Sequence, residues 1–483
     1  MTNIIYYSNL SVKSILQSTP KMSKCYRVIF QTYEESKPCD VIKEEVIIDS
    51  KITLPTNCLD FTIGIKTQLS MVGQVQSNVL NEKLALLADM QERHCPSSNC
   101  TGRLVKCGKQ KSPFHDVLTD HMVIMQRFKC NSCGHESPST AKMIMGTIQS
   151  GELQKLQSEL GATHTYREAE ELFSLFSGVE RTINNHDRIK QVTESVGDSI
   201  AEISKHEKEV ATADGASELI LNVDGGHIKT TDPDARSMEA LASVIYRPEA
   251  IQANSKGTRN HLTSKNCAAS ILDDNQEQFI SSTIIAALKQ GLGSKTHVTA
   301  LCDGAQNCWS VVEAVRPLCG SMTCILDWFH ISMKMKNIAL PEPLKPKFLR
   351  IKWHLWRGNV ESALLRLSQL VKDATTDNAA DKINKFITYI ANNRDRIVDY
   401  RDRKKNGLVF TSNLAESTVE SLINRRCKGQ QHMRWSREGL NPLLQIRAAL
   451  NSKGEWENKW KTAILNAAQM NNYHSVYYTS TDH

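Results

Sequence analysis

Glu218-Leu-Ile-Leu-Asn-Val-Asp224-Gly-Gly226 is an apolar run that stops on a carboxylate with two glycines behind it, and His297-Val-Thr-Ala-Leu-Cys-Asp303-Gly304 repeats the arrangement further on. Continuous runs of this kind predict strands buried on both faces. An acid at the end of such a strand, with glycine clearing the space around it, is suited to holding a hard cation through oxygen ligands. Between the two runs lie two more strand candidates, Ala240-Leu-Ala-Ser-Val-Ile-Tyr246 and His261-Leu-Thr-Ser-Lys-Asn-Cys267, then a helix from about Asn275 to Gln290. Buried strands alternating with helices from Leu219 to His330 predict an α/β domain.

The order of three strands, a helix and a fourth strand carrying the second acid resembles the ribonuclease-H-like fold, in which the first and fourth strands lie side by side and bring their acids together. A third acid is expected from a later helix. In Thr411-Ser-Asn-Leu-Ala-Glu416-Ser-Thr-Val-Glu420-Ser-Leu-Ile-Asn-Arg-Arg426, polar capping residues precede Leu414, and Val419, Leu422 and Ile423 recur at helical spacing. Glu416 sits in the first turns and Glu420 one turn on along the same face, so spacing does not choose between them. Such a trio serves phosphodiester cleavage by two ions, Mg2+ or Mn2+, one activating the attacking water or 3′-hydroxyl and the other stabilising the leaving oxygen. Singly, each acid is better explained as a solvated loop end. The strand, strand, helix order favours the metal-binding reading.

Upstream, Cys95-Pro-Ser-Ser-Asn-Cys100 and Cys130-Asn-Ser-Cys133-Gly134 form two knuckles separated by the strand-like Met122-Val-Ile-Met-Gln-Arg-Phe128. Knuckles with two to four intervening residues each present two thiolates from one tight turn, and two of them supply the four soft ligands of tetrahedral Zn2+. Gly134 gives the second turn its backbone freedom. Four cysteines close the coordination shell, so the expected Zn2+ is structural. The competing reading is four unrelated thiols, with Cys107, His94, His115 and His135 near enough to replace a ligand.

From Gly161 to Gly197 two or three short helices are expected. Tyr166, Ala169, Leu172, Phe173, Phe176 and Val179 form an apolar face, and a second helix carries Arg181, Asn184, Asn185, His186, Arg188 and Lys190. This is either a helix-turn-helix-like DNA-binding segment or an ordinary helical hairpin packed on its neighbours. Short strands are expected at Tyr26–Phe30 and Glu45–Ile48, and a helix from Val75 to Glu92.

The chain has 483 residues, 40% hydrophobic and 23% charged. That is ordinary globular composition, long enough for several domains of ~150 residues. Fourteen cysteines are too few and too scattered for a disulfide-dense scaffold. No run approaches the ~20 apolar residues of a membrane span, and Met1-Thr-Asn-Ile-Ile5 does not open a secretory signal. A soluble intracellular protein without a membrane partner is expected. The net charge of +7 leans toward polyanionic partners.

One family resemblance covers about Cys95 to Trp460. Glu416-Ser417, Arg425-Arg426-Cys427-Lys428-Gly429, Met433-Arg434-Trp435-Ser436-Arg437-Glu438-Gly439, Ile446-Arg447 and Glu455-Trp456 resemble the C-terminal signature of DDE transposases of the ISKra4-type insertion-sequence family. Val223-Asp224-Gly225-Gly226 and Cys302-Asp303-Gly304-Ala305 match the first and second catalytic aspartates of that pattern, and Asp327-Trp-Phe-His330 its Asp-x-x-His element, shared with mutator-type enzymes. The resemblance implies Asp224, Asp303 and Glu416 as the catalytic triad, favouring Glu416 over Glu420. His330 suits either orienting a metal-bound or phosphate oxygen or, more simply, a supporting role in the core beside Asp327. Taken with the residue-level readings, the resemblance gives a multidomain α/β protein: an N-terminal region of unassigned role that the resemblance does not reach (1–92), a zinc ribbon (93–150), a helix-turn-helix-like segment (151–212), a ribonuclease-H-like core (213–331) with the α-helical insertion that the resemblance implies (332–408), the catalytic helix with basic C-terminal helices (409–470), and a tail (471–483).

The implied substrates are double-stranded DNA, as terminal inverted repeats and as target, bound by at least a dimer in the bacterial cytoplasm. Arg401, Arg403, Lys404 and Lys405, then Arg425, Arg426, Lys428, Arg434 and Arg437, bracket Glu416 and are expected to meet phosphates, as are Arg181, Arg188 and Lys190. Two other readings are a catalytically inactive zinc-ribbon regulator and a structure-selective nuclease of the same fold. Trp353, His354 and Trp356 suit either base stacking or, more simply, helix packing.

Overall fold

The computed structural model describes residues 24–52, 62–137, 144, 146–177, 182–207, 214–253, 260–429 and 433–478. It divides into two units, residues 1–157 with 167–189 and 467–483, and residues 158–166 with 190–466.

The first unit opens with a hairpin of β1 (Cys25–Glu34) and β2 (Lys37–Lys51), covering both expected N-terminal strands. Helix α1 (Ile65–Met90) starts earlier than its apolar period indicates. It lies on a three-stranded antiparallel sheet of β3 (Leu104–His115), β4 (Asp120–Cys130) and β5 (Glu136–Ser137). Leu84 of α1 is buried against Val123 and Met125 of β4, every second residue of a strand whose other face is open.

Three helices follow, α2 (Gly151–Thr163), α3 (Tyr166–Ser177) and α4 (His186–His206). Within the first unit the polar residues assigned to the recognition helix are engaged internally. Asn184 is buried and accepts from Gln157, Asn185 Oδ1 accepts from Arg188 N at 2.8 Å, and His186 Nδ1 lies 2.8 Å from Glu170 Oε2. Arg188 is half-buried and donates to Gln149 Oε1. In the second unit, Val192, Val196 and Ile200 of α4 form a core with Trp456 and Trp460. Val179 and Arg181 lie outside the described residues.

The second unit is built on a mixed five-stranded sheet. Its strands are β6 (Glu218–Lys229), β7 (Ser237–Tyr246), β10 (Asn266–Ser270), β11 (His297–Cys302) and β12 (Ser321–Leu326), in the order β10-β7-β6-β11-β12. β7 runs antiparallel to its neighbours β6 and β10, and β11 and β12 run parallel to β6. Alternation along the strands gives two apolar faces. Leu219, Leu221 and Val223 meet α5 (Glu277–Lys289) and α6 (Gln306–Val315), while Ile220, Ala240, Ala242 and Val244 face the later helices. Both faces are covered, which is why these strands appear as continuous apolar runs.

Two expectations need correction. β6 does not stop at Asp224 but continues to Lys229, because its antiparallel pairing with β7 extends to Lys229↔Ser237. The single strand expected over His261–Cys267 is two. β9 (Asn260–Leu262) pairs with β8 (Ile251–Ala253), and Thr263 then turns the chain by donating N–H and Oγ1–H to the Ala250 carbonyl before β10 begins.

The segment 332–408, expected as an insertion, forms α7 (Trp328–Asn337), α8 (Leu344–Trp356), α9 (Val360–Lys372), α10 (Asp377–Asn392) and α11 (Tyr400–Lys405). Its Leu344, Phe348, Ile383, Phe386 and Ile390 share one apolar cluster with the sheet, so it is a helical layer on that face rather than a separate core. Trp356 packs among Trp328, Tyr400 and Phe410, while Trp353 is exposed. Then come α12 (Asn413–Val419), a π-helical turn over Glu420–Asn424, α13 (Arg425–Cys427), α14 (Arg437–Asn451) and α15 (Glu455–Tyr478). Among the described residues no helix is long and apolar enough to cross a membrane.

Candidate functional site

The sheet register builds the site. Val223, Cys302 and Leu326 are cross-strand partners on β6, β11 and β12. The next residue in each chain segment is an aspartate, so Asp224, Asp303 and Asp327 stand in one row across three neighbouring strands, ~4.8 Å apart per strand. β11 and β12 end there, which opens a cleft lined by Asn222, Asp224, Asp303, Asp327, His330 and Glu416.

Asp224 Oδ1 accepts from Gly225 N, and Asp303 Oδ1 accepts from Ala305 N, both at 2.8 Å. Gly304 is required twice over. Its φ is +99°, and a Cβ there would lie 2.8 Å from Tyr389 and 2.9 Å from Leu326. Tyr389, from α10, donates its hydroxyl to the Asp303 carbonyl at 2.8 Å, so the helical layer reaches into the site.

Asp327, 1% exposed, ties two helices together. As N-cap of α7 its Oδ1 accepts from Phe329 N at 3.1 Å. The same oxygen accepts from Ser412 N at 3.0 Å and Oδ2 accepts from Ser412 Oγ at 2.5 Å, at the start of the helix carrying Glu416. Asp327→Ala should cost about 2–4 kcal/mol, because it strands a buried N–H and hydroxyl. Urea denaturation measures this, and a change within 0.5 kcal/mol, the usual range for a surface site, would remove Asp327 from that role.

Glu416 and Glu420 part company. Glu416 points into the cleft, whereas Glu420 is exposed and accepts from Asn424 Nδ2 at 2.6 Å. Ligand atoms of Asp224, His330 and Glu416 all lie within 4.8 Å of one another. Asp303 lines the same cleft but stands outside that group of three. Burial pushes the Asp224 carboxyl up, against the pull of His330, with Asp303 and Asp327 adding like charge. Burial also raises Glu416, and the charge of Asp224 raises it further. Carboxylates raised in this way by burial and mutual repulsion fit a site that a divalent ion would relieve.

The π turn that follows Glu416 is braced by Arg447, buried on α14, which donates Nε–H to the Leu422 carbonyl at 2.7 Å and further bonds to the Ser421 and Ala162 carbonyls. Burial lowers Arg447 to about 10, which leaves it protonated at neutral pH.

The basic residues divide into surface and core. Lys190, Lys404, Lys405, Arg425, Lys428 and Arg434 are exposed. Arg426 is corrected: it is 4% exposed, donates twice to the Gly161 carbonyl at 3.2 Å, and lies against the rings of Tyr166 and Trp435, where no phosphate reaches it. Arg437 gives a hydrogen bond to the Ile271 carbonyl. Ser412, Tyr389, Asn222 and Arg447 were not singled out as site residues from the sequence. Of these, Ser412 carries a signal as a capping residue before Leu414, and Arg447 as part of the C-terminal signature.

In the first unit, Cys95, Cys100, Cys130 and Cys133 converge with all four sulfurs within 4.8 Å. Cys95–Cys133 and Cys100–Cys130 Sγ separations are both 3.6 Å. A zinc tetrahedron with ~2.3 Å bonds has edges near ~3.8 Å, so the four thiols fit Zn2+. Backbone amides of Cys133 and Ser132 bring the Cys130 thiol down to about 6, toward the thiolate a metal needs. Gly102 has no room for a side chain, since a Cβ would lie 2.5 Å from Cys130 Sγ. Cys107, His94, His115 and His135 are not in the cluster. The family model described as Uncharacterised protein family (UPF0236) matches residues 154–462. No curated protein matches the chain.

Proposed function

Because this chain belongs to the uncharacterised protein family UPF0236, we propose its activity from its own site: a DDE-type transposase resembling the ISKra4-type enzymes, which binds the inverted repeats at the ends of an insertion sequence, cuts DNA and joins the freed 3′-hydroxyls to a target. The observation that carries this reading is the row of Asp224 and Asp303 on adjacent parallel strands with Glu416 facing Asp224 from a helix. The sheet order, three antiparallel strands followed by two parallel ones, supports a ribonuclease-H-like core.

Asp224, Asp303 and Glu416 would hold two Mg2+ or Mn2+ ions, which when bound supply an activated attacking oxygen and charge neutralisation at the leaving oxygen. The chain's own residues orient and fix the reacting groups. Asp327 sets the angle between the helices bearing His330 and Glu416. The helical layer anchors Asp303 through Tyr389. Exposed Lys404, Lys405, Arg425, Lys428 and Arg434 offer sequence-independent contacts to phosphates, so binding should weaken steeply with salt. A structural zinc ribbon, end recognition by the N-terminal half and assembly of at least a dimer on DNA complete the proposal.

A duplex carrying the element's ends, incubated with the full chain and Mg2+ or Mn2+, tests it. Nicked and strand-transfer products are expected, and Asp303→Asn should abolish both while sparing end binding. Cleavage without strand transfer would indicate a structure-selective nuclease, and end binding without cleavage a regulator. Undiminished cleavage by Asp303→Asn would overturn the assignment of that residue.

A further inference from the structure

We propose that His330 is a direct ligand of the cation held by Asp224 and Glu416, and that its imidazole makes this site prefer Mn2+ to Mg2+. The inference rests on reading the cleft as a divalent-metal site, and does not depend on the nucleic-acid chemistry assigned to it.

His330 is the third residue of α7, whose N-cap is Asp327. Side chains in a helix tilt toward its N-terminus, which directs this imidazole back over the ends of β11 and β12. There one ring nitrogen lies within 4.8 Å of carboxylate oxygens of both Asp224 and Glu416. Asp303 is not in that group, so the three groups closest to one shared ion are two carboxylates and an imidazole. A six-coordinate ion with ~2.1 Å bonds wants neighbouring donors ~3 Å apart, a closure within the reach of rotamer adjustment.

The plainer role, a buttress for Asp327, fits the contacts less well. His330 Nε2 is 3.5 Å from Asp327 Oδ2, outside good hydrogen-bonding range. That oxygen already accepts from Ser412 Oγ, and the other from two backbone amides. His330 is also partly open to the cleft, with its side chain 22% exposed. Mg2+ favours oxygen donors and retained water, whereas imidazole suits the transition metals. A nitrogen in the donor set therefore separates the two ions.

Binding of Mn2+ alone and Mg2+ alone to the zinc-loaded full chain, without DNA, should differ by about tenfold or more in favour of Mn2+, and the electron spin-echo spectrum of the Mn2+ form should carry a nitrogen coupling. His330→Gln should weaken Mn2+ about tenfold or more, leave Mg2+ nearly unchanged and erase that coupling. His330→Asp should reverse the preference toward Mg2+. Absence of a nitrogen coupling in the unsubstituted chain overturns the proposal even if the variants fail to fold. So does a His330→Gln variant that weakens both ions equally. A nitrogen-coupled Mn2+ site on a chain that cuts no DNA would overturn the transposase reading and leave this one standing.

Discussion

Glu416→Gln is expected to lower the proposed metal-dependent DNA cleavage about 10³-fold or more and to leave the folded chain, free of divalent ions other than zinc, slightly more stable. The two effects share one cause. Glu416 and Asp224 face each other in a half-buried cleft, and both are pushed above the ordinary carboxylate range, first by burial and then by neighbouring charge. Glutamine keeps the shape of the side chain, removes the like charge and offers a poor ligand to a hard cation. Several kcal/mol of charge stabilisation at the reacting phosphate is the expected loss, and ~1.4 kcal/mol is a factor of ten in rate.

The stability gain has a definite pH dependence. A carboxyl raised in the folded state favours the folded state while it is protonated, and that advantage disappears as pH climbs from the unfolded value through the raised one. Glu416→Gln should therefore melt above the parent at pH 7 and show no such advantage at pH 4. Glu420→Gln is the matched control, being exposed and bonded to Asn424, and should change cleavage less than threefold, ~0.7 kcal/mol. Equal losses from Glu416→Gln and Glu420→Gln, or a destabilised Glu416→Gln, would mean that the helix rather than the carboxylate matters.

How far the sequence reveals this site depends on the range of the forces that build it. Apolar runs stopping at Asp224 and Asp303 give neighbouring parallel strands, since the runs demand burial on both faces and the helices between them supply it. The continuation of β6 through Gly225 and Gly226 is hidden, because those residues have turn chemistry and only pairing with β7 keeps them extended. Glu416 and Glu420 look alike until the helix is docked and one of them faces Asp224. Charge runs mislead most. Arg426 sits in a basic run with the composition of a phosphate-binding surface, yet it is buried on the Gly161 carbonyl, and Arg447 is buried on the carbonyls of Ala162, Ser421 and Leu422, partners that are in part hundreds of residues away. A π turn leaves carbonyls without their usual helical donors, and a buried guanidinium with a fork of donors is one way to satisfy them. Much of the C-terminal signature thus holds the helix carrying Glu416 in place, whereas its Arg425, Lys428 and Arg434 are exposed.

Cys130→Ser should abolish zinc binding and unfold the β3–β4 region. Among the described residues, only Leu104, Phe128 and Cys130 are buried in the apolar cluster beside the thiols, with Ala88, Cys95 and Cys100 partly covering it. Three side chains at ~1.5–3 kcal/mol each do not offset the conformational entropy of two knuckles and the ends of two strands, at ~1–2 kcal/mol per residue. Zinc binding to a four-thiolate site is worth ~10–16 kcal/mol and supplies the missing stabilisation. Cys130 is the ligand with the most to lose, being buried and held by amides that favour its thiolate. The full chain should carry one zinc per polypeptide by elemental analysis. Chelation or Cys130→Ser should collapse amide-exchange protection along β3 and β4, with strands β6 and β11 still protected. Exposed Cys107, outside the cluster, supplies the control, and Cys107→Ser should leave both zinc content and exchange unchanged. Full zinc content in Cys130→Ser would show that the metal sits elsewhere. Unchanged protection after complete chelation would show that the small apolar cluster folds this region unaided.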